Sequence, residues 1–197
     1  MAELLYQGHG SFRIRTEAGT VIFVDPYVGE GYDLPADLVL VSHEHHDHNR
    51  VELVTLKPGG KVYRAADCLK NGEYQAWTEF GVTIRSVAAY NQNHPKAECV
   101  GFLLTVEGKT LYMAGDTSRT EEMETELAGE HIDYAFLPID GIYNMDAAEA
   151  SECAAVIGAV HSIPVHMKPG ALFDQETAER FQADGRLIVK PGETLNW

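Results

Sequence analysis

Residues 37–50 read DLVLVSHEHHDHNR, a short apolar run followed at once by four histidines and two acidic residues within six positions. The apolar run is typical of a buried strand, and its continuation carries the side chains from which metal sites are built. Because alternate residues of an extended segment point the same way, we expect His43 and His45 to face one point beyond the strand. Once the chain turns, Asp47 and His48 can face a second point. Imidazole and carboxylate without thiolate are typical of catalytic sites for zinc, manganese or iron.

The composition favours a globular enzyme-sized chain that acts on a small molecule. The 197 residues are 45% apolar and 23% charged, so we expect a single domain over residues 1–197. A net charge of -15 argues against a nucleic-acid partner, because phosphate binding depends on Lys and Arg. We therefore predict a small-molecule substrate, and the sequence leaves the oligomeric state open.

The cysteines and the apolar segments indicate a cytoplasmic protein. Cys68, Cys99 and Cys153 are odd in number and lack CxxC spacing, which argues against disulfides and against a zinc ribbon. The opening MAELLYQGHG has too short an apolar run for a signal peptide, and no run of ~18 apolar residues is present for a membrane span. We predict no membrane association.

The chain contains two similar halves. Residues 10–15 and 20–25 read as two strands joined by a turn with Gly19, and residues 101–106 and 110–116 repeat that pattern around Gly108. Residues 36–41 and 132–139 each contain a short apolar strand that follows an Asp, Asp37 and Asp133, and leads to a polar loop. Two such halves predict two sheets packed face to face with helices outside. Hairpins with glycine turns also resemble one another by chance, and that alternative stays open at this point.

Four helices are predicted around these strands. Asp146 and Glu149 have the spacing of a capping box, and apolar residues follow at helical intervals up to Ile157. A second helix should begin near Asp174, bury Phe181 and end at Gly185, before a strand over residues 186–189. An acidic helix is expected over residues 117–127, and a short helix over 51–56, ended by Pro58.

Three further metal-binding candidates lie far from the histidine cluster in sequence. Asp116 closes the second hairpin, His94 lies in a polar loop before that hairpin, and His166 ends a late strand. All three occupy strand ends or loops, where sites are commonly built. A histidine-rich tract alone is also consistent with adventitious metal binding, but these distant candidates favour a constructed site. His46, His131 and His161 are expected to be surface or packing residues.

This combination resembles the metallo-β-lactamase superfamily. The motif HxHxDH at residues 43–48, followed by His94, by Asp116 in Gly-Asp-Thr and by His166, matches the ligand order of that superfamily. Asp25 matches its first-motif aspartate. The segments 8–11 and 137–141 resemble a small lactonase-like branch that includes ascorbate-6-phosphate lactonase. The resemblance covers nearly the whole chain and implies an α/β fold, a four-layer αββα sandwich with the site between two similar halves.

The resemblance also implies a role for each residue. His43, His45 and His94 would bind one divalent cation, and Asp47, His48 and His166 a second, with Asp116 bridging the two. Asp25 would hold the histidine loop by hydrogen bonds. His9 would border the site with a substrate or proton-transfer role. Apart from the resemblance, Asp47 is also a candidate to orient the nucleophile, and Lys168, two residues after His166, is a candidate to pair with an anionic substrate group, although a lysine there is more often a surface residue. Zinc is the expected metal, with manganese or iron as alternatives. Met167 stands where the superfamily often has Tyr or Phe.

The expected activity is hydrolysis by a hydroxide that bridges two metal ions. The substrate would be a small ester, a lactone or a phosphorylated metabolite. Two alternatives stay open on the sequence, a small-nucleotide phosphodiesterase and a non-catalytic metal-binding module.

Overall fold

Two six-stranded mixed sheets form the centre of the computed structural model, which describes residues 1–197. The first sheet contains β1 (Glu3–Gly8), β2 (Ser11–Arg15), β3 (Val21–Val24), β4 (Ala36–Leu40), β5 (Leu56–Tyr63) and β14 (Thr194–Asn196). The second contains β8 (Ala76–Glu79), β9 (Val82–Ala88), β10 (Val100–Val106), β11 (Lys109–Met113), β12 (Tyr134–Pro138) and β13 (His161–Val165). A two-stranded ribbon consists of β6 (Leu69–Lys70) and β7 (Glu73–Tyr74).

The helices are few and short. They are α1 (Ala65–Cys68), α2 (Glu121–Thr125), α3 (Ala147–Ile157) and α4 (Gln175–Arg180), with 3-10 turns at Val51–Leu53 and Leu127–Gly129. Asp146 caps α3 as predicted, because its side chain accepts a hydrogen bond from the Glu149 amide. None of the helices has the length and apolar character needed to cross a membrane.

The two sheets have the same internal plan. The order β14-β1-β2-β3-β4-β5 corresponds strand for strand to β8-β9-β10-β11-β12-β13. In each sheet, in this order, the first three strand pairings are antiparallel and the last two are parallel. Both predicted hairpins are present: Ile14 lies opposite Ile22, and Leu104 lies opposite Leu111. The repetition in the sequence therefore corresponds to a repeated arrangement of strands.

A matched pair of aspartates ties each hairpin to the strand that follows it. Asp37 Oδ2 accepts a hydrogen bond from the Val21 amide at 2.8 Å, and Asp133 Oδ2 accepts one from the Thr110 amide at 2.9 Å. Each carboxylate also binds a lysine, Lys57 for Asp37 and Lys109 for Asp133. Asp37 and Asp133, which lie at the starts of β4 and β12, thus hold the first residues of the neighbouring strands β3 and β11 in place.

The largest core lies between the two sheets. Alternate residues of the strands point inward, and Phe12 of the first sheet meets Phe136 of the second edge-on, with ring centroids 4.7 Å apart. Burying each large apolar side chain contributes about 1.5–3 kcal/mol. This contact holds the two halves together directly beneath the strand ends that carry the polar cluster.

The two outer faces are covered unequally. The outer face of the second sheet packs against α2, α3 and α4 through Met123, Cys153 and Ala178. The outer face of the first sheet is covered by loop side chains and by the 3-10 turn, through Leu34 and Val51. The α/β sandwich is therefore as predicted, with one outer layer reduced because only a 3-10 turn separates the histidine cluster from β5.

Three predicted boundaries were wrong. The helix predicted over residues 51–56 is a single 3-10 turn, and Pro58 lies inside β5. Proline is tolerated there because β5 is an edge strand, where a missing amide hydrogen leaves no sheet partner unpaired. The acidic helix predicted over residues 117–127 is confined to Glu121–Thr125.

The third wrong boundary concerns the last helix. It ends at Arg180 rather than Gly185, because Phe181 turns into the core with an extended backbone. The Arg186 guanidinium donates to the carbonyl oxygen of Phe181 at 2.6 Å and so satisfies the helix end. Residues 186–189 form only one bridge, between Arg186 and Ser162, instead of the predicted strand.

Candidate metal centre

The polar cluster forms where five strands end at one edge of the sandwich. Strands β3 and β4 are parallel, as are β11, β12 and β13, so their carboxyl ends lie together. The residues that follow these ends are Asp25, His43, Asp116, Asp140 and His166. The two sheets thus bring together residues that are up to 141 positions apart.

Asp116 lies at the middle of the cluster. Its Oδ2 is 3.2 Å from His94 Nε2 and 3.4 Å from His166 Nε2, and its Oδ1 is 3.2 Å from His48 Nε2. His43 Nε2 is 3.9 Å from Oδ2. Four imidazoles therefore surround one carboxylate that is only 4% exposed.

The potential ligands fall into three groups, two of which contain the residues that the family resemblance implies for the two cation sites. In each group the ligand atoms all lie within 4.8 Å of one another. The groups are His43, His45 and His94; His9, Asp47, His48 and His166; and His43, His48 and Asp116. The structure brings all seven predicted ligands into one cluster, and it adds His9 to the second group.

Each buried histidine of the predicted set is held through its Nδ1 atom. His43 Nδ1 lies 2.9 Å from Ser42 Oγ, and His48 Nδ1 lies 2.8 Å from Asp25 Oδ2. In the second half, His94 Nδ1 lies 2.9 Å from Asn91 Oδ1, and His166 Nδ1 lies 3.0 Å from Asp140 Oδ2. An oxygen at Nδ1 favours a ring proton there, so that Nε2 faces the cluster and is the atom available to a metal ion, as metal-binding histidines require.

Several buried atoms of the cluster have no hydrogen-bond partner in the protein. They are the Nε2 atoms of His43, His48 and His166 together with Asp116 Oδ1. His166 Nδ1 also lacks hydrogen-bond geometry, although it lies 3.0 Å from Asp140 Oδ2, so that contact is an ion pair. Such a concentration is unusual, because an unpaired buried polar group costs about 1–3 kcal/mol. Although His48 Nε2 and Asp116 Oδ1 are 3.2 Å apart, neither satisfies the other by hydrogen-bond geometry. Divalent cations would satisfy the three Nε2 atoms and Asp116 Oδ1, so the donor set fits such ions.

The backbone around the cluster is strained. Asp25, His9 and His166 have φ values of 46°, 57° and 44°, in the left-handed region that non-glycine residues seldom occupy. Strain of this kind costs of order 1–3 kcal/mol for each residue and concentrates at functional sites. Gly10 permits the close approach, because a Cβ atom there would lie 3.0 Å from His48 Cε1.

Charge within the cluster shifts the pKa values of its members. Burial alone would lower the pKa of His48, but Asp116 and Asp25 hold it well above its ordinary value. Burial would also lower the pKa of His166, but Asp116 and Asp140 raise it to about 9. Burial would raise the pKa of Asp116, yet His48 and His166 hold it well below its usual range. Without metal, protons on these histidines balance the buried carboxylate.

His43 and Asp47 differ from those histidines. Burial, reinforced by His48, lowers the pKa of His43 to about 2, so this ring is neutral and ready to bind a cation. Burial would raise the pKa of Asp47, but contacts with His166 and His9 lower it well below its usual value. Asp47 is therefore ionised at neutral pH.

The remaining predicted residues lie around the rim or outside the cluster. His45 is exposed and completes the first group from the solvent side. His46 is exposed and packs edge-on near Tyr27, with ring centroids 6.2 Å apart. The Lys168 side chain is 64% exposed, and its Nζ is 3.9 Å from Asp174 Oδ2.

The Nδ1 partners of three histidines, Ser42, Asn91 and Asp140, were not predicted from the sequence. Ser42 directly precedes His43, and Asn91 lies three residues before His94, so proximity in sequence was the available signal. Asp140 has a stronger signal, because it follows a repeated strand as His43 does. Its Oδ1 also accepts hydrogen bonds from the amides of Ile142 and Tyr143 at 2.7 Å, which orders the loop beside the site.

Several known proteins are similar to this chain in sequence, and solved structures are similar to it in fold. A family described as "Beta-lactamase superfamily domain" matches residues 3–166. A protein of Methanosphaerula palustris named a metal-dependent hydrolase is 33% identical over 215 residues, which covers 95% of this chain and 96% of that protein. Another of the same name from Pyrococcus furiosus is 29% identical over 226 residues, with 99% of each covered. The structure of a metallo hydrolase from Ignicoccus hospitalis has a TM-score of 0.74 at 22% identity, covering 98% of this chain and 97% of that chain.

Proposed function

The chain belongs to the beta-lactamase superfamily, and from that membership and the geometry of its polar cluster we propose that it is a hydrolase with two divalent cations. Its relatives are named metal-dependent hydrolases. The proposed ligands are His43, His45 and His94 for the first cation, Asp47, His48 and His166 for the second, and Asp116 between them. Zinc suits this mixture of imidazole and carboxylate, and manganese or iron also suits it.

One observation carries the proposal: unpaired Nε2 atoms and Asp116 Oδ1 converge in a buried space. The protein holds them there by Nδ1 contacts from four different segments and by strained backbone at Asp25 and His166. Maintaining that arrangement opposes folding unless a ligand satisfies it. Bound divalent cations would supply a Lewis acid and lower the pKa of water toward neutrality.

The protein residues divide the remaining work between them. Asp25 and Asp140 orient His48 and His166 through Nδ1, so that neither ring has to reorganise during turnover. Asp47 is ionised and only partly buried, with its side chain 20% exposed, so it can orient a water molecule that enters from solvent. His45 is the exposed member of the set, so the first cation site is open to solvent on that side.

The charges near the site favour a carbonyl substrate, a small ester or lactone. Basic residues close to the cluster are paired with acids: Arg50 with Glu52, Arg64 with Glu44, and Lys96 with Glu122. A phosphorylated group would find few unpaired cationic side chains beside the cations. Lys168 is the most loosely paired of these residues and is our candidate for contact with an acidic group of the substrate or product.

A substrate screen on defined metal forms tests this function. The protein would be stripped with a chelator, reloaded with zinc, manganese or iron, and assayed on lactones, aryl esters, thioesters and aryl phosphodiesters. We expect metal-dependent turnover of lactones or esters. Asp116→Ala should reduce this turnover by more than roughly 10–100-fold, which is the loss expected when only a residue hydrogen-bonded to a metal ligand is removed. His46→Ala, a change at an exposed neighbouring histidine, should retain it.

The screen separates the remaining possibilities. Turnover confined to phosphodiesters would replace the ester or lactone assignment with phosphodiesterase activity. Tight binding of two cations with no turnover of any class would indicate a metal-binding module and contradict the proposed hydrolase.

A further inference from the structure

His9 has the same arrangement as the four buried histidines of the predicted metal set. It is fully buried, its Nδ1 lies 3.0 Å from the Ala171 carbonyl oxygen, and its Nε2 lies 3.1 Å from Asp47 Oδ2. Each of those four histidines likewise has an oxygen at Nδ1 and directs Nε2 at a carboxylate of the cluster. His9 therefore has the contacts of a metal ligand rather than those of a packing residue.

The hydrogen-bond partners of His9 favour a positive charge near Nε2. A carbonyl oxygen only accepts, so the ring nitrogen that faces Ala171 carries the proton. In the neutral ring Nε2 then presents a lone pair to Asp47 Oδ2, which is also an acceptor. Two acceptors 3.1 Å apart repel one another unless a positive charge lies between or beside them. A bound metal ion provides this charge directly, and a second proton on His9 or a proton on the adjacent His166 ring provides it without metal.

Distances in the second group agree with a shared ion. Two donor atoms that each lie about 2.1 Å from one tetrahedral ion are about 3.4 Å apart. Asp47 Oδ2 is 3.1 Å from His9 Nε2 and 3.7 Å from His166 Nε2, which brackets that value. The donor atoms of His9, Asp47, His48 and His166 all lie within 4.8 Å of one another.

The backbone fixes His9 in this position. Its amide donates to the Leu172 carbonyl at 2.7 Å, and its own carbonyl accepts from the His166 amide at 2.9 Å. The His9 and His166 rings pack with centroids 3.7 Å apart, and the residue is held at a φ of 57°. Three contacts to the segment 166–172 thus align His9 with a member of the second group before any ligand binds.

We propose that His9 Nε2 is a further protein ligand of the second cation, beside Asp47, His48, His166 and the shared Asp116. This inference rests on the proposed function, because it concerns one of its two cation sites. With His9, the second cation has one protein ligand more than the first, and His9, His48, His166 and Asp116 are buried. The first cation has three histidines besides Asp116, and one of them, His45, is exposed to solvent. Substrate and water therefore gain access at the first cation, and the second is bound more tightly and released more slowly.

Nuclear magnetic resonance of the intact protein tests the assignment directly. Protein labelled with ¹⁵N-histidine would be loaded with two equivalents of ¹¹³Cd, whose nucleus couples to a bonded nitrogen and not to a hydrogen-bonded one. We expect coupling from His9 Nε2 to the same ¹¹³Cd that couples to His48 and His166, with a proton on His9 Nδ1. Coupling to those two without coupling to His9, and protons on both His9 nitrogens, would overturn the inference and leave the proposed function intact. Coupling to no histidine would overturn both.

A variant supplies a second measurement. His9→Asn keeps a residue that tolerates positive φ, and His46→Asn is the matched control at an exposed histidine. By competition with a chromophoric chelator, we expect His9→Asn to weaken the tighter of two zinc equivalents by at least about 10–100-fold and to leave the other unchanged. Equal affinities in wild type and His9→Asn would refute the assignment. Circular dichroism of the metal-free proteins checks the fold, and if His9→Asn does not fold, the wild-type spectrum decides.

Discussion

Replacing Asp25 with asparagine tests whether one carboxylate holds the histidine loop in its metal-binding state. Asp25 Oδ1 accepts from the Ser42 amide at 2.7 Å, and Oδ2 accepts from Ser42 Oγ at 2.6 Å and from His48 Nδ1 at 2.8 Å. Asn has nearly the same shape and tolerates the φ of 46° found there, so the substitution changes hydrogen bonding with little change in packing.

The effect follows from where the new amide nitrogen must lie. It cannot face the Ser42 amide, because both are donors, so it takes the place of Oδ2 and faces His48 Nδ1. In the neutral ring, which is the form that binds a cation, the His48 proton then lies on Nε2, the atom 3.2 Å from Asp116, and a protonated Nε2 cannot bind a cation. We expect affinity for the second cation to fall roughly 10–100-fold, about 1.4–2.7 kcal/mol. Loss of one charge-assisted hydrogen bond should destabilise the metal-free protein by about 1.5–3 kcal/mol.

Asp133→Asn is the matched control. Asp133 is also a buried aspartate that binds a backbone amide, that of Thr110, but it lies at the opposite end of β12 from Asp140. Calorimetric melting with and without zinc, together with chelator competition, should show both variants less stable without metal and only Asp25→Asn with weakened zinc binding. If Asp25→Asn bound two zinc ions with wild-type affinity, the argument from the tautomer of His48 would be refuted.

Three other outcomes are expected. In His45→Ala, elemental analysis should find one equivalent of bound zinc instead of two. Because His45 is exposed, the stability of the metal-free protein should change by no more than about 0.5 kcal/mol. Two retained equivalents of zinc would contradict the assignment of His45 as a ligand. Because the pKa of His166 is raised from 6.5 to about 9, its contribution to metal-free stability is full below pH 6.5 and lost as pH rises through 9. Over that pH range zinc must displace the proton of His166, so the apparent zinc affinity should fall roughly tenfold per displaced proton for each unit by which the pH decreases. Titration calorimetry in buffers of different ionisation heat measures the number of protons released. Zinc binding without proton release would contradict this prediction. Burial raises the pKa of Cys68, Cys99 and Cys153 to about 12, so an aromatic disulfide reagent at pH 8 should label them only after unfolding, and rapid labelling of the native protein would refute their burial.

The local chemistry of the sequence determined the strands and most of the ligand types. Period-two apolar runs with glycine turns predicted both hairpins, and the capping pattern at Asp146 predicted α3, because these signals act over a few residues. The repeated aspartates Asp37 and Asp133 marked the two similar halves for the same reason. The spacing of the histidine cluster predicted the first candidate ligands, since a strand end and the turn after it place neighbouring side chains without help from the rest of the chain.

Contacts between distant segments decided everything that those local signals left open. The Nδ1 partners Asn91 and Asp140, and the approach of His9 to Asp47 across 38 residues, depend on how two sheets and several loops pack. The end of α4 was likewise decided by burial of Phe181 and by the Arg186 guanidinium, not by the glycine in the sequence. Local preferences are worth tenths of a kcal/mol to about 1 kcal/mol per residue, whereas burying a phenylalanine or leaving a buried polar atom unpaired is worth about 1–3 kcal/mol, so tertiary packing prevails wherever the two conflict.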